Sequence, residues 1–148
     1  MIEGLTVRKC TTSQEKEVAK QFRQRHFFDI RGFLDPYLWT FERADHAHFA
    51  LYKTGCVIGY AHIQYWPSSR AALRIIIIDE KERKRGYGAY LLKACEQTLK
   101  EEGVGLLQTE AAPDAVAFYR NLGYIEMPFN DPDHQPTHEN DTPLGKLL

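Results

Sequence analysis

The fold of this chain is indicated by one stretch, residues 74–103, which reads RIIIIDEKERKRGYGAYLLKACEQTLKEEG. Its four consecutive isoleucines, Ile75 to Ile78, predict a strand that is buried on both faces. Its second half repeats apolar residues at helical spacing and predicts a helix that ends near Gly103. Three cations and two glycines, within Arg83 to Gly88, separate the strand from the helix. What this loop holds is the first question about function.

Length, charge and cysteine content exclude several classes of protein. The 148 residues fit one domain, 1–148, with a core of its own. The formal net charge of -1 gives no overall basic field for nucleic acid. The sequence shows neither a signal peptide pattern at its start nor an apolar run long enough for a bilayer. Three widely spaced cysteines favour neither a disulfide framework nor a zinc site. We therefore expect a cytoplasmic protein that binds neither nucleic acid nor membrane.

Strand and helix patterns alternate along the rest of the chain. The pattern Thr12-x-x-Glu15 is typical of a capping box at a helix start, and Pro36 is suited to open a second helix. Thr54-Gly55, between two apolar runs, predicts a tight hairpin turn. The predicted elements are a strand at 5–8, two helices within 12–41, strands at 46–53, 56–65 and 71–78, a helix that ends near 103, a strand at 104–109, a helix at 113–122, a strand from 124 to 127, a long loop at 129–142 and a last strand at 144–148. The predicted order is β-α-α-β-β-β-α-β-α-β-β, a mixed α/β domain.

The glycine loop has the chemistry of an anion site. The first N–H groups of a helix have no partner inside the helix, and the helix dipole adds positive potential there. A phosphate fits such a site, and Gly86 and Gly88 let it approach the backbone. The alternative is an ordinary turn with solvated charges. The sequence lacks the third glycine of the dinucleotide pattern and the Gly-Lys-Ser/Thr of a P-loop.

Two motifs resemble those of a known family. Arg83-x-x-Gly86-x-Gly88 resembles the R/Q-x-x-G-x-G/A motif of the GNAT superfamily of N-acetyltransferases, and it follows a fourth strand, as in that fold. Residues 115–124 resemble the second signature of the family, A-x-x-F-Y-x-x-x-G-F/Y, and residues 143–148 resemble its last strand. The resemblance implies an α/β (α+β) fold, with a mixed, mostly antiparallel sheet of six or seven strands flanked by about four helices.

The resemblance also implies acetyl-CoA as co-substrate, in a V-shaped opening between the fourth and fifth strands. Strand backbone groups face the pantetheine arm, loop N–H groups hold the pyrophosphate, and the Arg83 and Lys84 side chains reach the phosphates. Ala112 stands where the family often has an asparagine. The residues that the resemblance assigns to cofactor binding are Ile76, Ile77, Ile78, Arg83, Lys84, Arg85, Gly86, Tyr87, Gly88, Ala89, Ala112, Ala115, Phe118 and Tyr119.

Two residues are candidates for catalysis. Tyr119 matches the tyrosine that protonates the departing CoA thiolate in many members, a role that suits a phenol near sulfur; alternatively it packs helix on sheet. Glu110, at the end of the fifth strand, is the candidate base for the amine, and its alternative is a solvated strand end. His62 is the second candidate base, although a strand histidine is more often structural.

By the same resemblance, the acceptor side lies between the first two helices and the loop at 129–142. Aromatic residues with nearby carboxylates suit a cationic amine, either a small molecule or a lysine-like group. The candidate acceptor-binding residues are Phe28, Tyr37, His62 and His134. The pairs His134/His138 and His46/His48 lack the ligand set of a closed zinc site, so we expect no metal.

The function implied is an N-acetyltransferase that moves an acetyl group from acetyl-CoA to a primary amine of a small molecule, peptide or protein by direct attack. The alternative is a non-catalytic acyl-CoA-binding sensor or partner domain of the same fold. Nucleic-acid binding through the cations of residues 83–85 is a third class, which the acidic tail opposes. The aromatic residues within 27–39 fit a homodimer interface as well as a pocket.

Overall fold

A computed structural model describes residues 4–148 and contains one seven-stranded sheet. A π-helical turn, Gln24–Phe28, lies between the first two helices, and short 3-10 helices occupy Leu38–Glu42 and Glu80–Glu82. The strands are β1 (Leu5–Lys9), β2 (His46–Lys53), β3 (Cys56–Trp66), β4 (Arg70–Ile78), β5 (Leu106–Ala111), β6 (Ile125–Glu126) and β7 (Thr142–Leu147), and the helices are α1 (Ser13–Arg23), α2 (Asp29–Arg31), α3 (Tyr87–Glu101) and α4 (Val116–Asn121). The predicted order of strands and helices is confirmed, although the second α-helix is Asp29–Arg31 and does not follow Pro36.

The sheet order is β1-β2-β3-β4-β5-β7-β6, and every neighbouring pair is antiparallel except β4 and β5. The parallel pair is short, because β4 meets β5 only over residues 70–72 and 106–108. Beyond it β4 stays paired with β3 as far as Ile78, and β5 stays paired with β7 as far as Ala111. The two strands therefore diverge and leave an opening in the middle of the sheet. The predicted mixed, mostly antiparallel sheet is confirmed.

Local sequence signals account for several elements. Thr12 accepts from the Glu15 amide and the Glu15 carboxylate accepts from the Thr12 amide, so the predicted capping box starts α1. Thr54 and Gly55 have φ of 46° and 86°, the left-handed pair that a tight hairpin turn requires. The β2–β3 hairpin is confirmed with its predicted turn.

After Pro36, where a second helix was predicted, the chain forms a 3-10 helix and not an α-helix. Residues 38–42 form a 3-10 helix in which Phe41 is buried, but Tyr37 and Leu38 are exposed. The Asp35 carboxylate accepts from the Tyr37 amide at 2.8 Å, and the Thr40 hydroxyl donates to the Tyr37 carbonyl at 2.7 Å. These local side-chain hydrogen bonds compete with those of an α-helix and keep the segment short.

The two faces of the sheet carry separate cores. The predicted stripe of α3, Leu91, Leu92, Cys95 and Leu99, is fully buried on one face. On the other face, Phe22 of α1 and Phe41 pack on Tyr60 and Ile77. Among residues 4–148, no helix combines the length and apolar composition that crossing a bilayer requires.

Burial of the isoleucines differs from the prediction. Ile77 is buried, but Ile75, Ile76 and Ile78 are half-buried. The cause is the divergence of β4 and β5, which leaves the end of β4 at the edge of the opening and not inside a continuous sheet. Helix α4 is also shorter than predicted, and it begins three residues after Pro113.

A charged network is buried beneath the α1 face. The Arg23 side chain is fully buried and binds the Asp35 carboxylate with two nitrogens, Nη2 to Oδ1 at 2.9 Å and Nε to Oδ2. Its Nη1 donates to the Tyr60 hydroxyl at 2.8 Å and to His62 Nδ1 at 3.2 Å. This network joins α1, the segment before the 3-10 helix and the centre of β3.

Removal of Arg23 is expected to destabilise the fold strongly. Arg23→Met leaves the Asp35 carboxylate buried without its cation, which costs about 3–5 kcal/mol in the free energy of unfolding. The double variant Arg23→Met/Asp35→Leu removes both charges and is expected to lose less stability than Arg23→Met alone. Urea unfolding measures both.

The control for this prediction is Arg43→Met, which breaks the exposed ion pair with Asp45 at 3.1 Å. Its expected cost is at most about 1 kcal/mol. An Arg23→Met variant no less stable than Arg43→Met would contradict a structural role for the buried network.

Candidate active site

The opening between β4 and β5 is a cleft with a volume of about 580 Å³. The Thr109 hydroxyl donates to the Leu73 carbonyl at 3.0 Å, just beyond the last paired residues, and marks where the strands separate. The cleft is lined by Phe27, Arg31, Leu73, Arg74, Ile75, Ile76, Ile77, Ile78, Arg83, Gly88, Thr109, Glu110, Ala111, Ala112, Asp114, Ala115, Phe118, Tyr119 and Asp141. The two motifs of the sequence thus meet on one cleft.

The amino end of α3 lies beside this cleft. Gly86 is the residue before the helix and has φ of 84°, a left-handed conformation that favours glycine, and no side chain caps the helix there. The first-turn N–H groups are therefore available to an external anion. A Cβ on Gly88 would lie 3.4 Å from the Phe118 ring and 3.9 Å from Ile78. A larger side chain at position 88 would fill this end of the cleft.

The three cations of the loop have different surroundings. Arg83 lines the cleft and donates from Nε to the Ile78 carbonyl at 3.1 Å. Arg85 lies 3.6 Å from Glu82, which also pairs with Lys53 at 3.0 Å. Lys84 is exposed. Among the predicted cofactor-binding residues, those that do not line the cleft are Lys84, Arg85, Gly86, Tyr87 and Ala89. Of these, Tyr87 is buried in the core.

The position of Tyr119 is compatible with both roles considered for it. Its ring packs against Phe118 and Tyr124, and it also lines the cleft. Burial raises the pKa of the phenol to about 12, although a hydrogen bond with Thr109 opposes the shift. The hydroxyl is therefore protonated at neutral pH and can donate a hydrogen bond into the cleft.

Glu110 is not a solvated strand end. It lines the cleft, and its Oε2 is buried without a hydrogen-bond partner among residues 4–148. Burial raises the pKa of this carboxyl above its usual value, and the nearby Asp141 and Asp131 carboxylates add to the shift. Thr137 and Arg74 act in the opposite direction. A carboxylate of raised pKa in a cleft is a suitable proton acceptor.

A second cavity of about 400 Å³ adjoins the cleft and shares four lining residues with it, Phe27, Arg31, Arg74 and Ile75. Its other lining residues are Phe28, Phe33, Pro36, Tyr37, Trp39, Thr40, His46, His62, Gln64, Asp133 and Gln135. Three of the four predicted acceptor-binding residues line it, and His134 lines neither space. Of the acidic residues in the long loop, only Asp133 lines the second cavity.

Arg74 and Gln64 belong to the site but were missing from the sequence-based prediction. Arg74 donates two hydrogen bonds to Gln64 Oε1, at 2.7 and 3.0 Å, and pairs with Asp131 at 3.1 Å. These contacts anchor the long loop beside both spaces. The sequence contains one signal for Arg74, which is a charged residue beside four isoleucines in a predicted buried strand. Its partners Gln64 and Asp131 lie in other parts of the chain, so the sequence did not show that they would meet.

His62 has a different role from the base that it was considered for. Its Nδ1 accepts from Arg23 at 3.2 Å, and its Nε2 lies 2.8 Å from His46 Nδ1. Burial and the neighbouring positive groups lower its pKa strongly. Both ring nitrogens are engaged, so His62 does not accept a proton from a substrate. Within residues 4–148, no group of three or more histidine, cysteine or acidic residues is placed to hold a metal ion.

Comparison with known proteins gives consistent matches. The profile described as "Acetyltransferase (GNAT) family" matches residues 12–124. A Bacillus subtilis (strain 168) protein named "Putative acetyltransferase" is 26% identical over 125 residues, which are 81% of this chain and 83% of that protein.

Solved structures share the fold. A "putative N-acetyltransferase" from Lactobacillus plantarum matches with a TM-score of 0.79 at 19% identity, over 99% of each chain. An N-acetyltransferase from Thermoplasma acidophilum, solved in complex with coenzyme A, matches with a TM-score of 0.65 at 15% identity, over 97% of this chain and 99% of that one.

Two glutamates are expected to have pKa values on opposite sides of the ordinary value of 4.5. Burial raises the pKa of Glu110, and hydrogen bonds from the Thr11 and Thr12 amides lower the pKa of Glu15 to about 2. A ¹³C NMR titration of the side-chain carboxyls measures both in one sample. A Glu110 midpoint at or below 4.5 would contradict the buried environment described for it.

The same two groups predict opposite effects on stability. Because the pKa of Glu110 is higher in the folded state, its ionisation destabilises the fold as pH rises through that value. Glu110→Gln is therefore expected to stabilise the protein at neutral pH and to have no such effect below pH 4.5. Glu15→Gln is expected to lose stability at neutral pH, a loss that fades as pH falls from 4.5 towards 2. Urea unfolding at several pH values measures these differences.

Proposed function

Because the chain belongs to the acetyltransferase (GNAT) family, which it matches over residues 12–124, we propose that it is an N-acetyltransferase. Its acyl donor is acetyl-CoA, and its acceptor is a primary amine of a small molecule, peptide or protein. The observation that carries the proposal is the cleft between β4 and β5, which has the uncapped amino end of α3 beside it and Glu110 in its wall. One domain, residues 1–148, contains all these parts.

The residues present fit acetyl-CoA. The segment of β4 from Leu73 to Ile78 is unpaired with β5. The Leu73 and Ile78 carbonyls accept from Thr109 and Arg83, so the backbone groups between them that face the cleft are the ones available to the amide groups of the pantetheine arm. The N–H groups at the start of α3 and the Arg83 side chain suit the pyrophosphate. Phe118 and Ala115 bound the cleft opposite β4. Ala112 also lines the cleft, but its methyl group cannot replace an asparagine amide.

The reaction forms a C–N and an S–H bond and breaks an N–H and a C–S bond. The amine nitrogen attacks the thioester carbonyl carbon and loses a proton, and the sulfur gains a proton as the C–S bond breaks and the CoA thiol leaves. An amine is mostly protonated at neutral pH, so Glu110, directly or through water, takes its proton. A backbone N–H near Ile76 faces the carbonyl oxygen and stabilises the charge that develops there.

Tyr119 acts on the leaving group. Its pKa of about 12 keeps it protonated, and its hydroxyl donates to the sulfur as the thiolate leaves. The thiolate is itself raised in energy by the same buried surroundings, which favours sharing or transfer of the proton. Glu110 thus accepts a proton from the amine, and Tyr119 gives a proton to the sulfur. Exchange with water then removes the proton from Glu110 and returns one to Tyr119, so both residues regain their starting states.

A non-catalytic acyl-CoA-binding domain is the second candidate, because Ala112 removes a side-chain contact. Release of CoA thiol in the presence of an amine separates the two candidates. Thiol release that depends on the amine supports the enzyme. Tight acetyl-CoA binding without thiol release from any amine supports the binding domain.

Acetyl-CoA is expected to bind more weakly to Gly86→Glu than to the wild type. The glutamate would place a negative charge where the pyrophosphate approaches α3, so affinity should fall at least about tenfold by charge repulsion. Isothermal titration calorimetry of the wild type should show micromolar binding.

The matched control is Gly55→Glu in the β2–β3 turn. Gly55 and Gly86 have nearly equal φ, 86° and 84°, and an added Cβ meets nothing within 4 Å at either position. The two variants thus carry the same charge and the same backbone strain. Equal loss of affinity in both would contradict a pyrophosphate site at α3.

Tyr119→Phe is expected to lower kcat about 100-fold, because the hydroxyl acts on the leaving group. The KM for acetyl-CoA should change little, since the ring that lines the cleft remains. The control is Tyr65→Phe, which removes a hydroxyl that binds Lys9 and Glu102 away from the cleft. Steady-state thiol release measures both variants, and an unchanged kcat in Tyr119→Phe would exclude this role.

A further inference from the structure

The second cavity is walled mainly by aromatic rings. Phe27, Phe28, Phe33, Tyr37 and Trp39 line it, and its volume of about 400 Å³ lies in the range of small-molecule sites. Phe33 and Trp39 are about half exposed and form its rim. The cavity opens into the cleft at Arg74 and Ile75, so a ligand there can reach the acyl donor with one end.

An arginine side chain of the protein already lies over each of two of these rings. The Arg31 guanidinium lies 3.7 Å from the centroid of the Phe27 ring, and the buried Arg23 guanidinium lies 5.3 Å from that of Phe28. A second cation on the same rings would meet like charge. This arrangement favours an uncharged aromatic body over the cationic body expected from the sequence.

Most polar groups of the cavity are already paired with one another. Gln64 Oε1 accepts from Arg74, and Gln64 Nε2 donates to Asp133 at 2.8 Å. Arg74 also holds Asp131. The Thr40 hydroxyl donates to the Tyr37 carbonyl. His46 is half-buried, its Nδ1 is bonded, and its Nε2 has no hydrogen-bond partner among residues 4–148. The other lining side chains without a partner in that range, Tyr37, Trp39 and Gln135, are exposed to solvent.

The buried network fixes the proton on that nitrogen. Arg23 can only donate, so His62 Nδ1 must accept from it. A neutral His62 then carries its proton on Nε2 and donates it to His46 Nδ1, 2.8 Å away. His46 Nδ1 is therefore an acceptor, and the proton of neutral His46 must be on Nε2. Protonating His46 at Nδ1 would place two hydrogens between the rings.

The surroundings of His46 and His62 also favour the neutral form of both rings. Arg23 of α1, Arg74 of β4 and the neighbouring rings of His46 and His48 lower the pKa of His62, in addition to burial. For His46, burial together with Arg74 and Arg43 outweighs Asp45 and Asp133, and its pKa is lowered too. Both imidazoles are therefore neutral at physiological pH.

We propose that this cavity takes a primary amine with an aromatic body and a hydrogen-bond-accepting group, and that His46 Nε2–H selects that group. This inference rests on the proposed acetyl transfer. The ring of the acceptor packs among Phe28, Phe33, Tyr37 and Trp39, its amine reaches Glu110 past Arg74 and Ile75, and its oxygen accepts from His46. Arg23 is a positioning residue, which acts on the acceptor through His62 and His46 and through the Phe28 ring.

The proton positions are tested without any reaction. In protein labelled with ¹⁵N histidine, two-bond ¹H–¹⁵N spectra at neutral pH should show His46 and His62 protonated at Nε2 only, as the contacts with Arg23 and between the two rings require. The midpoint of the His46 titration should lie below its ordinary pKa of 6.5, because burial and nearby cations disfavour the charged form. Added para-methoxyphenethylamine should shift the Nε2 signal of His46. A neutral His46 protonated at Nδ1, or a His46 midpoint above 6.5, would overturn the proposal.

Selectivity is tested with two nearly isosteric amines. Para-methoxyphenethylamine carries an ether oxygen where para-ethylphenethylamine carries a methylene group. The wild type is expected to prefer the methoxy compound about tenfold in kcat/KM, the effect of one hydrogen bond. In His46→Phe the ratio should fall to about one with KM for acetyl-CoA unchanged, and His46→Gln, which keeps an N–H donor, should retain part of the preference.

The outcomes separate this proposal from the proposed function. If diaminobutane is acetylated in preference to both aryl amines, or if His46→Phe keeps the full preference, the acetyltransferase stands and the assignment of the cavity is wrong. If acetyl-CoA does not bind at all, the proposed function fails. A His46 Nε2 shift with para-methoxyphenethylamine would then still support the cavity as an aryl-amine site, and the absence of that shift would refute it.

Discussion

The short parallel ladder between β4 and β5 is the constraint on which the site depends. A sheet normally continues by pairing each strand with the next, but here three residues of each strand pair and the remainder separate. The β3 partner holds β4 in place as far as Ile78, and the β7 partner holds β5 as far as Ala111. Backbone on the facing sides of β4 and β5 therefore lacks a strand partner in the middle of the sheet, where a polar extended ligand can pair with it.

The other parts of the site are arranged around this gap. The loop after β4 brings the amino end of α3 beside the cleft, and α4 brings Tyr119 to the opposite wall. Glu110 is at the end of β5, where separation of the strands leaves one oxygen buried without a partner. Separation of the two strands thus brings the proposed acyl-donor site, the candidate base Glu110 and the candidate acid Tyr119 to one cleft.

The structural features that could be predicted from sequence are those whose signals are local. The glycines at 86 and 88, the Phe118-Tyr119 pair and the Thr54-Gly55 turn act through their own backbone or their immediate neighbours, and the element order followed from them. Contacts between distant residues escaped prediction. Arg23 with Asp35 and Arg74 with Asp131 become partners only after the chain folds, and His134 could not be distinguished by composition from Asp133, which does line the cavity. The isoleucines were expected in a closed sheet because a run of apolar residues does not show where two strands separate.

A crystal structure of the protein with coenzyme A tests the central claim most directly. The account predicts the pantetheine arm between β4 and β5, with its amides hydrogen-bonded to the backbone of residues 73–78. It also predicts the pyrophosphate within hydrogen-bonding distance of the N–H groups in the first turn of α3. Coenzyme A bound elsewhere, or a cleft filled only by solvent at saturating coenzyme A, would contradict the account.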